Sequence, residues 1–182
     1  MVKKDPNSSS SSDKKTKQAE NASTQNINIG IKDSDRHKIS AGLSQFLADA
    51  FTLYLKTHSA HWNVTGPHFS ALHTMFETQY TEQWTALDAV AERIRALGYL
   101  APGSYQDFTT LTSIQESKSP SCPQPWENMV TQLVAYNEAV CQSARTVLQM
   151  AEKGNDAASA DLLTERIHVH EKYAWMLRTL LQ

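Results

Sequence analysis

Four long stretches of this chain repeat their apolar residues at the helical period, and alternation of period two never persists. That pattern restricts the chain to helices packed on helices. From Ser34 onward, Leu43, Phe46, Leu47, Ala50, Leu53, Tyr54 and Thr57 recur at spacings of three and four up to about His61, where Gly66-Pro67 breaks the run. The spacing predicts a second helix from Phe69 to Leu97, ended by Gly98. Pro, Ser and Thr dominate from Tyr99 to Pro125, where the pair Leu111 and Ile114 marks one or two helical turns. A third helix is predicted from Trp126 to about Lys153, with Val130, Leu133, Val140, Ala144 and Val147 on its inner face and Gly154 as its cap. Asn155 or Asp156 is placed to cap a fourth, which carries Leu162, Leu163, Ile167, Ala174, Leu177 and Leu180.

Helices of this length run to roughly 40 Å at the helical rise. The second and third are joined by a connection long enough to return along the bundle. The fold class expected is all-α, a four-helix bundle with one long crossover carrying a short helix, which is the ferritin-like plan. A chain of 182 residues suffices for one such domain. No apolar run approaches membrane-spanning length, and no apolar stretch follows the basic start, so neither a membrane span nor a secretory signal is expected. Two cysteines, Cys122 and Cys141, are too few for a disulfide framework and read as plain thiols in a reducing, cytoplasmic setting.

With 17 Lys+Arg against 19 Asp+Glu, affinity for nucleic acid cannot come from global charge. It would need a local basic segment. Residues 1–25 hold a five-serine run, five lysines (Lys3, Lys4, Lys14, Lys15, Lys17) and three acids. Their few apolar residues cannot offset the entropy of ordering them, so residues 1–33 are expected to form a disordered tail ahead of a domain at 34–182. Two readings of the tail stand: a solubilising segment, or a mobile arm that touches DNA phosphates weakly and without sequence preference.

The second predicted helix carries two stripes. At about 100° per residue, Phe76, Leu87, Val90, Ile94 and Leu97 share the core face, and His73, Glu77, Tyr80, Trp84, Asp88 and Glu92 share the neighbouring one. A helix facing only water has little reason to place Trp84 and Tyr80 among its acids. His73 and Glu77 are i, i+4 neighbours, as are Asp88 and Glu92, but roughly 16 Å of helix separates the pairs. One metal cannot be held across that distance by one helix. The stripe is palindromic about residues 82–83, so an antiparallel copy sets His73 opposite Glu92 and Glu77 opposite Asp88. Two identical sites result, each built from both chains.

His61, across the Gly66-Pro67 turn, can add a second imidazole. Two imidazoles with carboxylates and no thiolate suit Fe(II), Mn(II) or Zn(II), and the carboxylates favour Fe(III) once it forms. A di-iron site inside one bundle would need two Glu-x-x-His motifs, and the chain offers one, Glu165-Arg166-Ile167-His168. A single-metal hydrolase within one chain is disfavoured by the same spacing. His168 and His170 point to different sides of their helix and cannot share a site.

The run His61-Trp62-Asn63-Val64-Thr65-Gly66, with Phe69, Leu72-His73, Phe76-Glu77, Tyr80, Asp88, Ala91-Glu92-Arg93-Ile94 and Leu97-Gly98, resembles the Dps family, the DNA-binding proteins from starved cells. The resemblance extends from about residue 34 to 182 and includes Glu171-Lys172 and Trp175-Met176-Leu177. It implies a mini-ferritin: a cytoplasmic, in some settings nucleoid-associated, homododecameric shell that oxidises Fe(II) with hydrogen peroxide or oxygen. It also implies storage of the ferric mineral. The family's ligands fall on His61, His73 and Glu77 of one chain with Asp88 and Glu92 of its two-fold partner, a set with room for two iron ions. Glu77 departs from the aspartate of several members, which bears on the second metal. His58 is implicated as an auxiliary ligand or proton shuttle, Trp62 and Trp84 would flank the centre, and Asp156, Asp161 and Glu165 would line acidic pores that draw Fe(II) inward. The rival reading is a DNA-compacting protein that acts through its lysine-bearing tail and oxidises little iron.

Overall fold

A computed structural model describes residues 27–115, 122 and 124–182. Five helices occur in this order: α1 (Asp33–Asn63), α2 (Phe69–Ala96), α3 (Tyr105–Leu111), α4 (Trp126–Lys153) and α5 (Ala157–Thr179). No strand occurs among the described residues. The four long helices are those the apolar period predicts, to within two or three residues at each end. They form two hairpins, α1 with α2 and α4 with α5, joined face to face where α1 packs on α4. The fold is the expected all-α, ferritin-like bundle. The N-terminal tail and its lysines lie outside the described residues through position 26.

The core stripe of α2 is buried as expected, with Phe76, Val90, Ile94 and Leu97 at or below 1% exposure. It meets Ile39, Leu43, Phe46 and Leu53 of α1, Leu133, Val140 and Ala144 of α4, and Leu163 and Leu177 of α5. Each such fully buried side chain contributes roughly 1.5–3 kcal/mol relative to exposure. Leu180 departs from the expected inner face. It follows the last turn of α5 and is 37% exposed.

Gly154 caps α4 as expected, with φ −84°, and the positive φ of 55° falls on the next residue, Asn155. Gly154 is small because α1 passes there, and a Cβ would lie 3.0 Å from Ile39 Cδ1 and 3.2 Å from Asp35 Cβ. The short helix of the crossover lies earlier than the pair Leu111 and Ile114. Ser104 and Asp107 form a reciprocal capping box that starts α3, and the helix stops at Leu111. Ile114 reaches the core from an extended segment that Asp49 holds in place. Asp49 is fully buried, and its carboxylate accepts from the Ser113 backbone N–H at 2.6 Å and from the Thr112 and Ser113 hydroxyls.

No helix among the described residues is long and apolar enough to cross a membrane. Cys122 is exposed and Cys141 buried, and both are free thiols.

Candidate metal centre

The turn between α1 and α2 determines where two imidazoles meet. Val64 ends α1 with its N–H donating to the Ala60 carbonyl, and the Gly66 carbonyl accepts from Phe69 N–H as α2 begins. Gly66 has φ +103°, a left-handed conformation in which a side chain would be strained. This tight reversal brings His61, in the last turn of α1, against His73, in the second turn of α2. Their rings stack with centroids 3.7 Å apart.

Each of the two imidazoles is held by the other's backbone. His61 Nδ1 donates to the His73 carbonyl at 2.9 Å, and His73 Nδ1 donates to the His61 carbonyl at 3.0 Å. A carbonyl can only accept, so both Nδ1 atoms carry the proton. In the neutral ring this tautomer leaves Nε2 with the lone pair, the form a metal ion takes up. The reciprocal bonds fix tautomer and ring orientation before any ligand arrives. His61 is buried and His73 half-buried.

The second stripe of α2 stays open on the protomer surface. Glu77, Trp84, Asp88 and Glu92 are exposed, with Trp84 at 60%. His73 and Tyr80 are half-buried. Among the described residues, no group of three or more His, Cys, Asp or Glu side chains converges within one protomer to hold a metal. One chain thus brings together His61 and His73 with Glu77 one turn onward, and leaves Asp88 and Glu92 at the far end of the stripe.

An aromatic wall flanks the histidines. His58 stacks on Tyr80 with centroids 3.9 Å apart and lies 4.2 Å from Trp62. Its Nδ1 is paired with the Tyr54 hydroxyl at 3.2 Å. Burial, reinforced by the neighbouring His61, lowers its pKa and favours the neutral ring. Tyr54 carries the wall on to Trp84, 5.4 Å away. His58 is thus a packed, hydrogen-bonded member of the wall.

The acids expected to line a pore separate into two kinds. Asp161 and Glu165 are exposed on α5. Asp156 is 1% exposed and fully engaged inside the protomer. Its carboxylate caps α5 by accepting from Ser159 N–H at 3.0 Å and Ser159 Oγ at 2.5 Å, and it pairs with the Arg93 guanidinium at 2.6 Å. Burial alone would raise its pKa, but the hydrogen bonds from Arg93 and Ser159 outweigh it and hold the carboxyl below its ordinary value. The expectation that Asp156 lines a pore is corrected by this geometry. Glu165 borders a groove of about 630 Å³ between α2 and α5, which it shares with Glu77 and Glu82.

Sequence reasoning missed the polar groups that join α5 to its neighbours. Arg166 forms a two-pronged bond to Glu82 at 2.5 and 2.9 Å, and His170 Nδ1 meets Asn137 Oδ1 at 3.0 Å. Arg166 and His170 are i, i+4 on the inner side of α5, and two polar residues on a core stripe were the available signal.

The family model of the ferritin-like domain matches residues 40–182. An uncharacterized low temperature-induced protein of Nostoc is 36% identical over 159 residues, covering 86% of this chain and 87% of its own length. DNA protection during starvation protein 2 of Bacillus anthracis is 34% identical over 139 residues, covering 76% and 93%. The crystal structure of a Dps protein from Vibrio cholerae, described as a member of the ferritin-like diiron-carboxylate superfamily, superposes with a TM-score of 0.79. It is 27% identical, and the match covers 87% of this chain and all of that one. The helical bundle, the paired imidazoles of the α1–α2 turn and these similarities place the chain in the Dps family of ferritin-like proteins.

Proposed function

We propose that this protein is a mini-ferritin ferroxidase. It binds Fe(II) at sites shared by two copies, oxidises it with hydrogen peroxide or oxygen, and stores the ferric mineral inside a homododecameric shell. The observation that carries the reading is the pair of imidazoles, oriented by reciprocal Nδ1–carbonyl hydrogen bonds beside an open acidic stripe. His61, His73 and Glu77 of one copy supply half of each ligand set. Asp88 and Glu92 of the partner subunit supply the rest, in the antiparallel arrangement that the palindrome of the stripe suits. Zinc(II) or manganese(II) fits the same donors.

In this mechanism the neutral imidazoles of His61 and His73 offer Nε2 to Fe(II), because each Nδ1 is engaged by the other residue's carbonyl. Two Fe(II) ions give up two electrons to one hydrogen peroxide; its O–O bond breaks and two protons complete two waters. The carboxylates then stabilise the more highly charged Fe(III). Glu77 also borders the groove lined by Glu165, whose exposed carboxylate offers further oxygen ligands to departing ferric ions; Glu82 in the same groove is engaged by Arg166. Removing Fe(II) in this way keeps it from generating hydroxyl radicals near DNA, which accords with the name of the Bacillus anthracis relative.

Residues 34–182 form the working unit of this reading, and residues 1–33 serve as an arm whose lysines meet DNA phosphates in the cytoplasm. Substituting His61→Ala with Asp88→Ala tests the site: rapid Fe(II) oxidation is expected to vanish while the shell still assembles. Oxidation at the wild-type rate would reject the assignment. A gel shift at low salt tests the arm, with full-length protein expected to retard DNA more strongly than a chain lacking residues 1–25. Tail-dependent retardation by a protein that oxidises no iron would favour the rival reading.

A further inference from the structure

The interior of the bundle contains polar groups that the metal centre does not use. Gln83 is 3% exposed, and neither its carboxamide oxygen nor its nitrogen has a hydrogen-bond partner among the described residues. It faces a narrow cavity between α1, α2 and α5, lined also by Phe46, Ala50, Leu87, Arg166 and His170. The cavity offers about 10 Å³ to the centre of a water molecule, the space of one.

The chemistry of the lining narrows the occupant. Asn137 Nδ2 donates to the Leu133 carbonyl at 2.8 Å, so its Oδ1 is left to accept from His170 Nδ1. The proton of His170 therefore sits on Nδ1, and Nε2 is an acceptor. Burial, with the Arg166 charge adding to it, pushes the His170 pKa down to about 3, so the ring is neutral at ordinary pH. Arg166 is neutralised by its paired Glu82. With Arg166 paired and His170 neutral, neither a cation nor an anion finds an uncompensated opposite charge here to offset its loss of hydration. A neutral donor and acceptor of minimal size satisfies both the amide and the imidazole.

We propose that this cavity is a binding site for one structural water, which bridges the Gln83 carboxamide to His170 Nε2 and so links α2 to α5 through the core. The water completes a polar row that runs from the Leu133 carbonyl through Asn137 and His170 to Gln83. A buried carboxamide left without partners costs the full desolvation of both its polar atoms, and one water removes most of that penalty. The site is independent of the inter-subunit centre. It requires neither iron nor a second chain.

A crystal structure of the full-length protein at high resolution, soaked in bromide, tests the proposal. The expected result is a water-sized peak without anomalous signal, about 2.7–3.2 Å from both a Gln83 side-chain atom and His170 Nε2. An empty cavity would overturn it, and so would an anomalous bromide peak. Gln83→Met, close in volume but unable to hydrogen-bond, serves as the second variant and is expected to lose the peak while keeping the fold. A peak retained at wild-type occupancy in that variant would show that Gln83 does not hold the water, and would overturn the assignment. If Gln83→Met fails to fold, Gln83→Glu takes its place with the opposite expectation: a water peak retained and shifted toward the carboxylate, with no peak contradicting the proposal.

Discussion

Asp156 separates a structural role from a transport role. In the structure it caps α5 and neutralises Arg93, and it is closed to solvent. Replacing it with Ala removes the cap, about 1 kcal/mol. It also leaves Arg93 and Ser159 without their acceptor. Breaking a fully buried pair costs about 3–5 kcal/mol, but the Arg93 side chain is 18% exposed and water reaches it, so a loss of about 2 kcal/mol is expected. The total is roughly 3 kcal/mol for Asp156→Ala. Asp156→Asn keeps a capping oxygen and loses only the charge, about 2 kcal/mol, or roughly 4–8 °C in Tm for a domain of this size. The assay is thermal unfolding at fixed protein concentration beside Asp161→Asn, an exposed control expected within about 0.5 kcal/mol of wild type. The folded pKa of Asp156 is lowered, so its contribution is complete above the unfolded pKa of about 3.9 and fades as pH falls through the folded value. The gap between wild type and Asp156→Asn should therefore narrow below about pH 4. The reasoning is refuted if Asp156→Asn melts with wild type while slowing Fe(II) uptake.

Three further outcomes follow from the buried polar groups. His170 has a folded pKa near 3 against about 6.5 unfolded, so the unfolded chain binds the extra proton between those values. Stability from this residue is complete above about pH 6.5 and declines by about 1.4 kcal/mol per unit on acidification; urea unfolding between pH 7 and 5 should show that slope reduced in His170→Gln. Asp49→Ala removes the acceptor that holds residues 112–113, and a loss of roughly 2–3 kcal/mol with faster hydrogen exchange at Ser113 is expected. Native protein exposed to iodoacetamide should alkylate Cys122 and spare Cys141, whose thiol burial pushes up to about 11; equal labelling would contradict the buried assignment.

The bundle was legible because each long helix repeats its apolar residues at the right period and ends in Gly, Pro or an acid. The candidate ligands were legible for a similar reason, since His73, Glu77, Asp88 and Glu92 occupy one stripe of one helix. The reciprocal bonding of His61 and His73 was not legible. It depends on a backbone reversal at Gly66 that aims each ring at the other's carbonyl, and no spacing rule encodes that. Asp156 shows the opposite limit. As a helix-capping acid it reads the same whether it faces a channel or an arginine 63 residues away, and only the packing of α2 on α5 decides. The crossover was misplaced because α3 starts on a capping box, while the apolar pair used to locate it belongs partly to the extended segment beyond.

The shared site is tested most directly by mixing two inactive chains. One carries His61→Ala and His73→Ala, the other Asp88→Ala and Glu92→Ala, and each is assembled alone and with the other while Fe(II) binding is titrated. If each site draws ligands from two copies, the parents bind none at the centre. The random mixture then regains about a quarter of the wild-type sites, one intact site in every mixed pair. A mixture as inactive as its parents, or tight Fe(II) binding by an isolated protomer, would contradict the account.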